Sequence, residues 1–205
     1  NDAVATAPKR YALSFTTGAL LVREAGLLAP VFLDCRDWEQ VRDDAVERNL
    51  LQARTHSTGV RLVRETVKRL SALSSNELEL LSDATASERG YLMWVAACRR
   101  YEFIGEFAEE VVRERFLLLT PTLAYPECNG FVRGKALWHH ELEDVKESTL
   151  KKLREVVFRM LVEAGLLTDT GRLVAAVISG RLLDAFNVHE PSDLRYFPTS
   201  PVAAR

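Results

Sequence analysis

Ser57-Thr-Gly-Val-Arg-Leu-Val-Arg-Glu-Thr-Val-Lys-Arg-Leu70 carries Val60, Val63, Val67 and Leu70 at alternating steps of three and four residues. That spacing returns each apolar side chain to one side of a 3.6-residue turn, so the stretch reads as an amphipathic helix with one buried face. Leu62 lies off this seam, and Arg61, Arg64 and Lys68, at i, i+3 and i+7, project from a face beside it. Upstream, Asp37 precedes Trp38, Val41, Ala45 and Val46 as the N-cap of a shorter helix through residue 48, and the polar turn from Asn49 to Arg54 ends it. Helix, short turn, then a helix buried on one side and basic on another is the helix-turn-helix arrangement, in which cations of the second helix meet phosphates or guanine edges. A basic helix face is also what a solvated surface looks like, so the pattern alone leaves both readings open.

Outward from this unit, helical spacing is common and period-2 alternation scarce, which predicts a mainly α protein. Ser74 with Glu77, and Thr85 with Glu88, have the S/T-x-x-E spacing of capping boxes and start two more helices. From Glu88 to Leu118 the pattern breaks or bends near Gly105, because a mid-helix glycine costs about 1 kcal/mol relative to alanine. A loop bracketed by Pro121 and Pro126 precedes a weaker helix over 128–139, which contains Gly130 and Gly134. Ser148 opens the clearest helix, with Leu150, Leu153, Val157, Met160, Leu161 and Ala164 on one side and Gly165 as its stop. Leu166-Leu167 and Arg172-Leu173-Val174 then read as two short strands around Thr168-Asp169-Thr170-Gly171, the wing of a winged helix. Ser179 caps a last helix through Phe186, and Pro191, Pro198 and Pro201 keep the tail extended. The expected fold is therefore mainly α: an N-terminal helix-turn-helix bundle, a helical region, and a C-terminal winged-helix-like unit with a short β-hairpin. Its expected parts are a disordered lead-in (1–10), a helix-turn-helix domain (11–84), a C-terminal helical domain (85–187, wing about 166–175) and an extended tail (188–205).

With 205 residues, 47% hydrophobic and 27% charged, the chain has the composition of a folded globular protein and the length to bury a core without disulfides or metals. Three cysteines, Cys35, Cys98 and Cys128, are odd in number and widely spaced, which fits reduced thiols in the cytoplasm better than a disulfide framework or a metal knuckle. The apolar run Leu27–Leu33 is interrupted by Pro30 and far too short to cross a bilayer, so no membrane partner is expected. The formal charge of −2 argues at first against a nucleic-acid partner. It is unevenly distributed: residues 76–145 hold 13 acids against 7 bases, whereas 48–69 hold Arg48, Arg54, Arg61, Arg64, Lys68 and Arg69 against Glu65 alone, with His56 among them. A second cluster, Lys146, Lys151, Lys152, Arg154 and Arg159, surrounds the helix before the wing, and Arg172 sits on the wing.

Catalytic chemistry leaves little trace. No GxGxxG or GxxxxGK[ST] loop is present, and His139-His140 are adjacent, not at HExxH spacing, so they read as a helix end or surface. Cys98 lies in an apolar run and reads as core, while Cys35 and Cys128 have no neighbouring histidine to activate them. Glu102, Glu106, Glu109, Glu110 and Glu114, interleaved with Arg113 and Arg115, read as a solvated face. No enzyme activity, cofactor, metal or small-molecule substrate is expected.

Tyr11-Ala-Leu-Ser-Phe-Thr-Thr-Gly-Ala-Leu-Leu21, Asn49-Leu-Leu-Gln-Ala-Arg-Thr-His-Ser-Thr58, Trp138-His-His-Glu-Leu142 and the stretch from Ser148 to Leu167 together resemble the BrxA family, in collinear order over residues 11–187. That family is a small core component of BREX (bacteriophage exclusion) defence systems. The resemblance implies a mostly helical, cytoplasmic, non-catalytic protein that binds double-stranded DNA and acts beside other BREX proteins in phage restriction and host methylation. It covers Asn49 to Ser57 and Lys151, Lys152 and Arg154, without saying which residues touch DNA. The candidate DNA-contacting residues are thus Arg48, Arg54, His56, Arg61, Arg64, Lys68, Lys151, Lys152, Arg154 and Arg172. The competing reading is a protein scaffold that docks a larger BREX subunit without touching DNA.

Overall fold

Asp37 accepts the amides of Glu39 (2.8 Å) and Gln40 at the start of α2, Trp38–Glu47, as its position before the apolar pattern predicts. These contacts come from a computed structural model, which describes residues 9–200; most of the expected lead-in, up to residue 8, and Pro201 lie outside the described residues. Across the turn after α2, Asn49 stands at φ 45° and its side chain both donates to the Ala53 carbonyl and accepts the Ala53 amide, closing the loop on itself. Thr55 then caps α3, His56–Leu70, through the Thr58 amide at 3.2 Å. Val63, Val67 and Leu70 of the predicted seam are buried and Val60 is half-buried.

An element the sequence pattern does not mark, α1, Val22–Cys35, lies against α2, α3 and the next two helices, α4 (Ser75–Asp83) and α5 (Ala86–Arg100). It buries Ala25, Leu28 and Ala29, and exposed Pro30 sits inside it. Both capping positions, Leu21 (φ 61°) and Arg36 (φ 55°), are left-handed, so neither end carries the Ser, Thr or Asp signal that announces a helix.

The two capping boxes are present. Ser74 and Glu77 satisfy each other's amides at 2.8 and 3.2 Å at the start of α4, Ser75–Asp83; Thr85 and Glu88 do so at 2.9 and 3.3 Å at the start of α5, Ala86–Arg100. From Tyr91 to Cys98 every side chain of α5 is buried, the mark of a helix enclosed on all sides. The expected break falls at Tyr101, four residues before Gly105, and begins α6, Glu102–Phe107. Gly105 is needed for packing: a Cβ there would lie 2.9 Å from the Cys98 carbonyl oxygen. The helix runs on through a π-turn, Ala108–Arg113, into α7, Glu114–Leu117.

After the 121–124 loop come α8, Tyr125–Ala136, and α9, Glu147–Glu163, which buries Leu153, Val156, Val157, Met160 and Leu161 and stops before Gly165 at φ +73°. The expected β-hairpin is not formed, and with it the winged-helix unit loses its wing. Among the described residues no strand or sheet is present, only isolated bridges, Thr122 to Arg172 and Leu167 to Leu173. The chain does reverse at Gly171 (φ +82°), but residues 171–174 divide their backbone bonds between two neighbours. Leu173 donates to Pro121 and Val174 to Leu166, so neither side builds a ladder.

Finally α10, Gly180–Asn187, is followed by a packed segment where an extended tail is expected. A 3₁₀ turn, Asp193–Tyr196, buries Leu194 and Tyr196, and the Trp94 indole donates to the Tyr196 carbonyl at 2.9 Å. The N3 glutamates of both capping boxes anchor this C-terminal part. Arg99 joins Glu77 to Asp193 at 2.6 Å each, and Glu88 accepts Arg181 (2.6 Å) and Ser179 (2.7 Å). Buried side chains form one connected core from Tyr11 to Phe197. No described helix is long and apolar enough to cross a membrane.

Candidate nucleic-acid interface

On the α2–α3 unit, Arg48, Arg54, His56, Arg61 and Arg64 are exposed and Lys68 is half-buried. Arg48 closes α2, Arg54 lies in the turn, His56 opens α3, and the other three follow one stripe along α3. Among the described residues none of Arg48, Arg54, Arg61, Arg64 and Lys68 makes an ion pair, so their charge is available to a partner. The buried side of α3, held by α1, α2 and α5, fixes the stripe's direction.

Arg69 must be taken out of this basic window. It is fully buried, pairs with buried Glu65 at 2.9 Å, and donates to the backbone carbonyls of Ala19 and Phe15. Tyr101 donates to the same Glu65 oxygen at 2.6 Å, and burial together with that carboxylate pushes its phenol above the usual range, keeping it a donor. Glu65 and Arg69 thus cancel inside the core, and the surface charge rests on the remaining five cations.

Arg42 is a cation the sequence pattern passes over. It is exposed and lines the cleft between α2 and α3 with His56, Val60 and Arg64. Asp43 and Glu47 border the same cleft, so α2 contributes mixed charge and α3 the consistently positive face.

The second predicted group divides. Lys151 and Lys152 are exposed, Lys151 lying 4.0 Å from Glu155. Arg154 is half-buried and oriented by its neighbours: one guanidinium nitrogen donates to Asn129 at 2.7 Å and the group stacks 4.2 Å from the Tyr125 ring centre. Arg172 is exposed at the 168–171 turn, which is not a β wing. Lys151 and Arg154 share a cleft between α8 and α9 with Arg133, an exposed cation on the glycine-containing helix that the sequence pattern leaves unmarked; Lys152 and Arg172 lie outside its lining. α3, which carries most of the first group, and α9, which carries most of the second, both pack on α5.

Buried thiols offer little nucleophilicity. Burial pushes Cys98 well above its usual range and Cys128 up to about 12, against a smaller opposing effect of Arg154. Of the two histidines at 139–140, His139 is buried, stacked 3.7 Å on Tyr11 and 3.2 Å from Glu141. Glu77, His189 and Asp193 converge closely enough to hold a metal, but the Arg99 guanidinium sits between the two carboxylates and supplies the positive charge.

The fold and these surfaces define a mainly α-helical protein with one core and two cation-rich regions. The chain belongs to the BrxA family, whose model matches residues 9–190. It is 26% identical to a BREX protein BrxA of Paramagnetospirillum magneticum over 86% of this chain and 90% of that one. A BREX protein BrxA of Escherichia coli O9:H4 (strain HS) is 27% identical over 76% of this chain and 72% of that protein. A crystal structure of an uncharacterized protein from Magnetospirillum magneticum superposes with a TM-score of 0.80 at 25% identity, covering 93% of this chain and all of the other.

Proposed function

We propose that the protein is a non-enzymatic double-stranded DNA-binding component of a BREX phage-defence system, supporting phage restriction and host DNA methylation beside other BREX proteins. The observation that carries this reading is the row of cations Arg61, Arg64 and Lys68, with Arg54 in the turn just before it, without ion pairs among the described residues, along a helix whose other side is locked in the core. Such a row neutralises backbone phosphates and positions the protein on a duplex, with sequence reading secondary. Arg48 at the end of α2 and His56 at the start of α3 extend it across the turn, and Lys151, Lys152, Arg154 and Arg172 give a second contact. Family membership supports the assignment to BREX.

A duplex mobility shift at low salt tests this reading. Binding by the wild type, abolished by the charge reversal R61E/R64E/K68E, is the expected result; binding that survives the reversal overturns it. The scaffold reading draws on Leu118 and Leu119, which are 70% and 87% exposed at the end of α7. A BREX partner that co-purifies through nuclease and about 0.5 M salt, where charges are screened within a few ångströms, together with no duplex shift, favours it.

A further inference from the structure

We propose that the cleft between α8 and α9 binds a phosphorylated ligand of nucleotide size, held by Arg133, Lys151 and Arg154. The inference extends the second DNA contact proposed above, but it stands on the cleft itself, which a free nucleotide fills without any duplex.

Its volume is about 440 Å³, within the range of small-molecule sites and several times what a lone phosphate needs. Three cations and one acid, Glu147, line it, giving +2. A phosphomonoester carries about −1.5 to −2 near neutral pH and is matched by that charge. Asn129 and Ser148 add neutral hydrogen-bonding groups, and Phe103, Val132 and Leu150 make an apolar wall for the organic part of the ligand.

Each cation has donors to spare. Arg154 uses one guanidinium nitrogen on Asn129 and is fixed by Tyr125, while its Nε–H is buried without a hydrogen-bond partner. The buried Nε–H is closed to a ligand, but a guanidinium already oriented by its neighbours offers its remaining Nη2 as a preorganised anion contact, since its ordering has been met in advance. Arg133 makes no ion pair among the described residues, and Lys151 only the 4.0 Å contact to Glu155. At the same place α9 begins without a side-chain cap on its first amides, which adds favourable dipole to the three charges. The ligand is therefore a phosphate ester with a compact, partly apolar body: a nucleotide free in solution, whose monoester matches the +2, or a nucleotide within a DNA strand, whose diester, with a single negative charge, balances half of it.

The test uses the full chain in phosphate-free buffer at low ionic strength, with adenosine 5′-monophosphate, adenosine, inorganic phosphate and a duplex of about 20 base pairs as probes. Calorimetry is expected to give saturable 1:1 binding of the monophosphate, competition by inorganic phosphate, and no binding of adenosine. R133Q/K151Q, at two exposed positions whose loss leaves the core intact, weakens it about tenfold or more, the loss expected for two charge-assisted contacts. R61Q/R64Q/K68Q leaves it unchanged. Absence of saturable binding, equal binding of adenosine, or indifference to R133Q/K151Q overturns the proposal. Weaker duplex binding by R133Q/K151Q places the natural phosphate in DNA; unchanged duplex binding places it on a free nucleotide. If the monophosphate binds and the duplex does not, the DNA reading falls and the cleft stands; the reverse result separates them the other way.

Discussion

Replacing Arg69 by methionine removes a cation from the most basic stretch of the sequence, yet its effect is on folding. Glu65, 4% exposed, keeps only the Tyr101 hydroxyl, and the carbonyls of Ala19 and Phe15 lose their guanidinium donors. Breaking a buried ion pair from one side costs about 3–5 kcal/mol, because the remaining charge is stranded in a medium that cannot solvate it. In a chain of this size each kcal/mol moves the melting temperature by about 2–4 °C, so Arg69→Met melts about 6–20 °C lower by calorimetry. The pair variant Glu65→Leu/Arg69→Met recovers much of that loss, since neither charge is then buried alone. Below its transition Arg69→Met keeps the wild-type salt dependence of duplex binding. Two results refute the reasoning: a loss under about 1 kcal/mol in urea denaturation, or a salt slope that falls by about one, as it would for a cation on phosphate.

Other perturbations act through the same contacts. Thr85→Ala removes the hydroxyl that accepts the Glu88 amide and lowers stability by about 1 kcal/mol in urea. Gly171→Ala adds a Cβ 2.8 Å from the Leu123 carbonyl at φ +82° and destabilises by more than about 1 kcal/mol, with disturbed amide signals in both residues 121–124 and 166–174. Burial raises the Glu77 carboxyl, but Arg99 and the Ser74 amide outweigh it and hold the group below its usual range; Arg181, Ser179 and the Thr85 amide likewise hold Glu88 below it. Depressed carboxylates stabilise the fold above their unfolded pKa of about 4.3, and that stability is lost as pH falls through the folded values. Melting temperature therefore drops in acid below about pH 4, and Glu77→Gln flattens that limb while lowering stability at neutral pH.

Local signals carried the helices that were legible in the chain. Ser74/Glu77 and Thr85/Glu88 specify their own starts by reciprocal hydrogen bonds within four residues, and the α3 valines announce a buried face by spacing alone. α1 was hidden because left-handed caps and Pro30 give no such signal and its stability comes from four neighbouring helices. The stretch after Gly171 has the composition of a strand, and composition cannot report that its backbone partners are divided between 121–123 and 166–168. Arg69 shows the limit for the candidate interface: charge is visible in sequence, while burial of that charge is decided by Ala19, Phe15 and Tyr101, up to 54 residues away. The i,i+4 spacing of Glu65 and Arg69 was its one local sign. Arg133 joins Lys151 and Arg154 only through the packing of α8 beside α9.

Fluorescence anisotropy of a labelled duplex, read as log K against log salt from about 50 to 200 mM, tests the central claim most directly. Wild-type protein should give a straight line whose slope is about −0.9 for each phosphate engaged, and R61Q/R64Q/K68Q should lower its magnitude by about 2.7, three contacts' worth. Equal slopes for wild type and the triple variant would contradict the claim that the exposed face of α3 holds DNA.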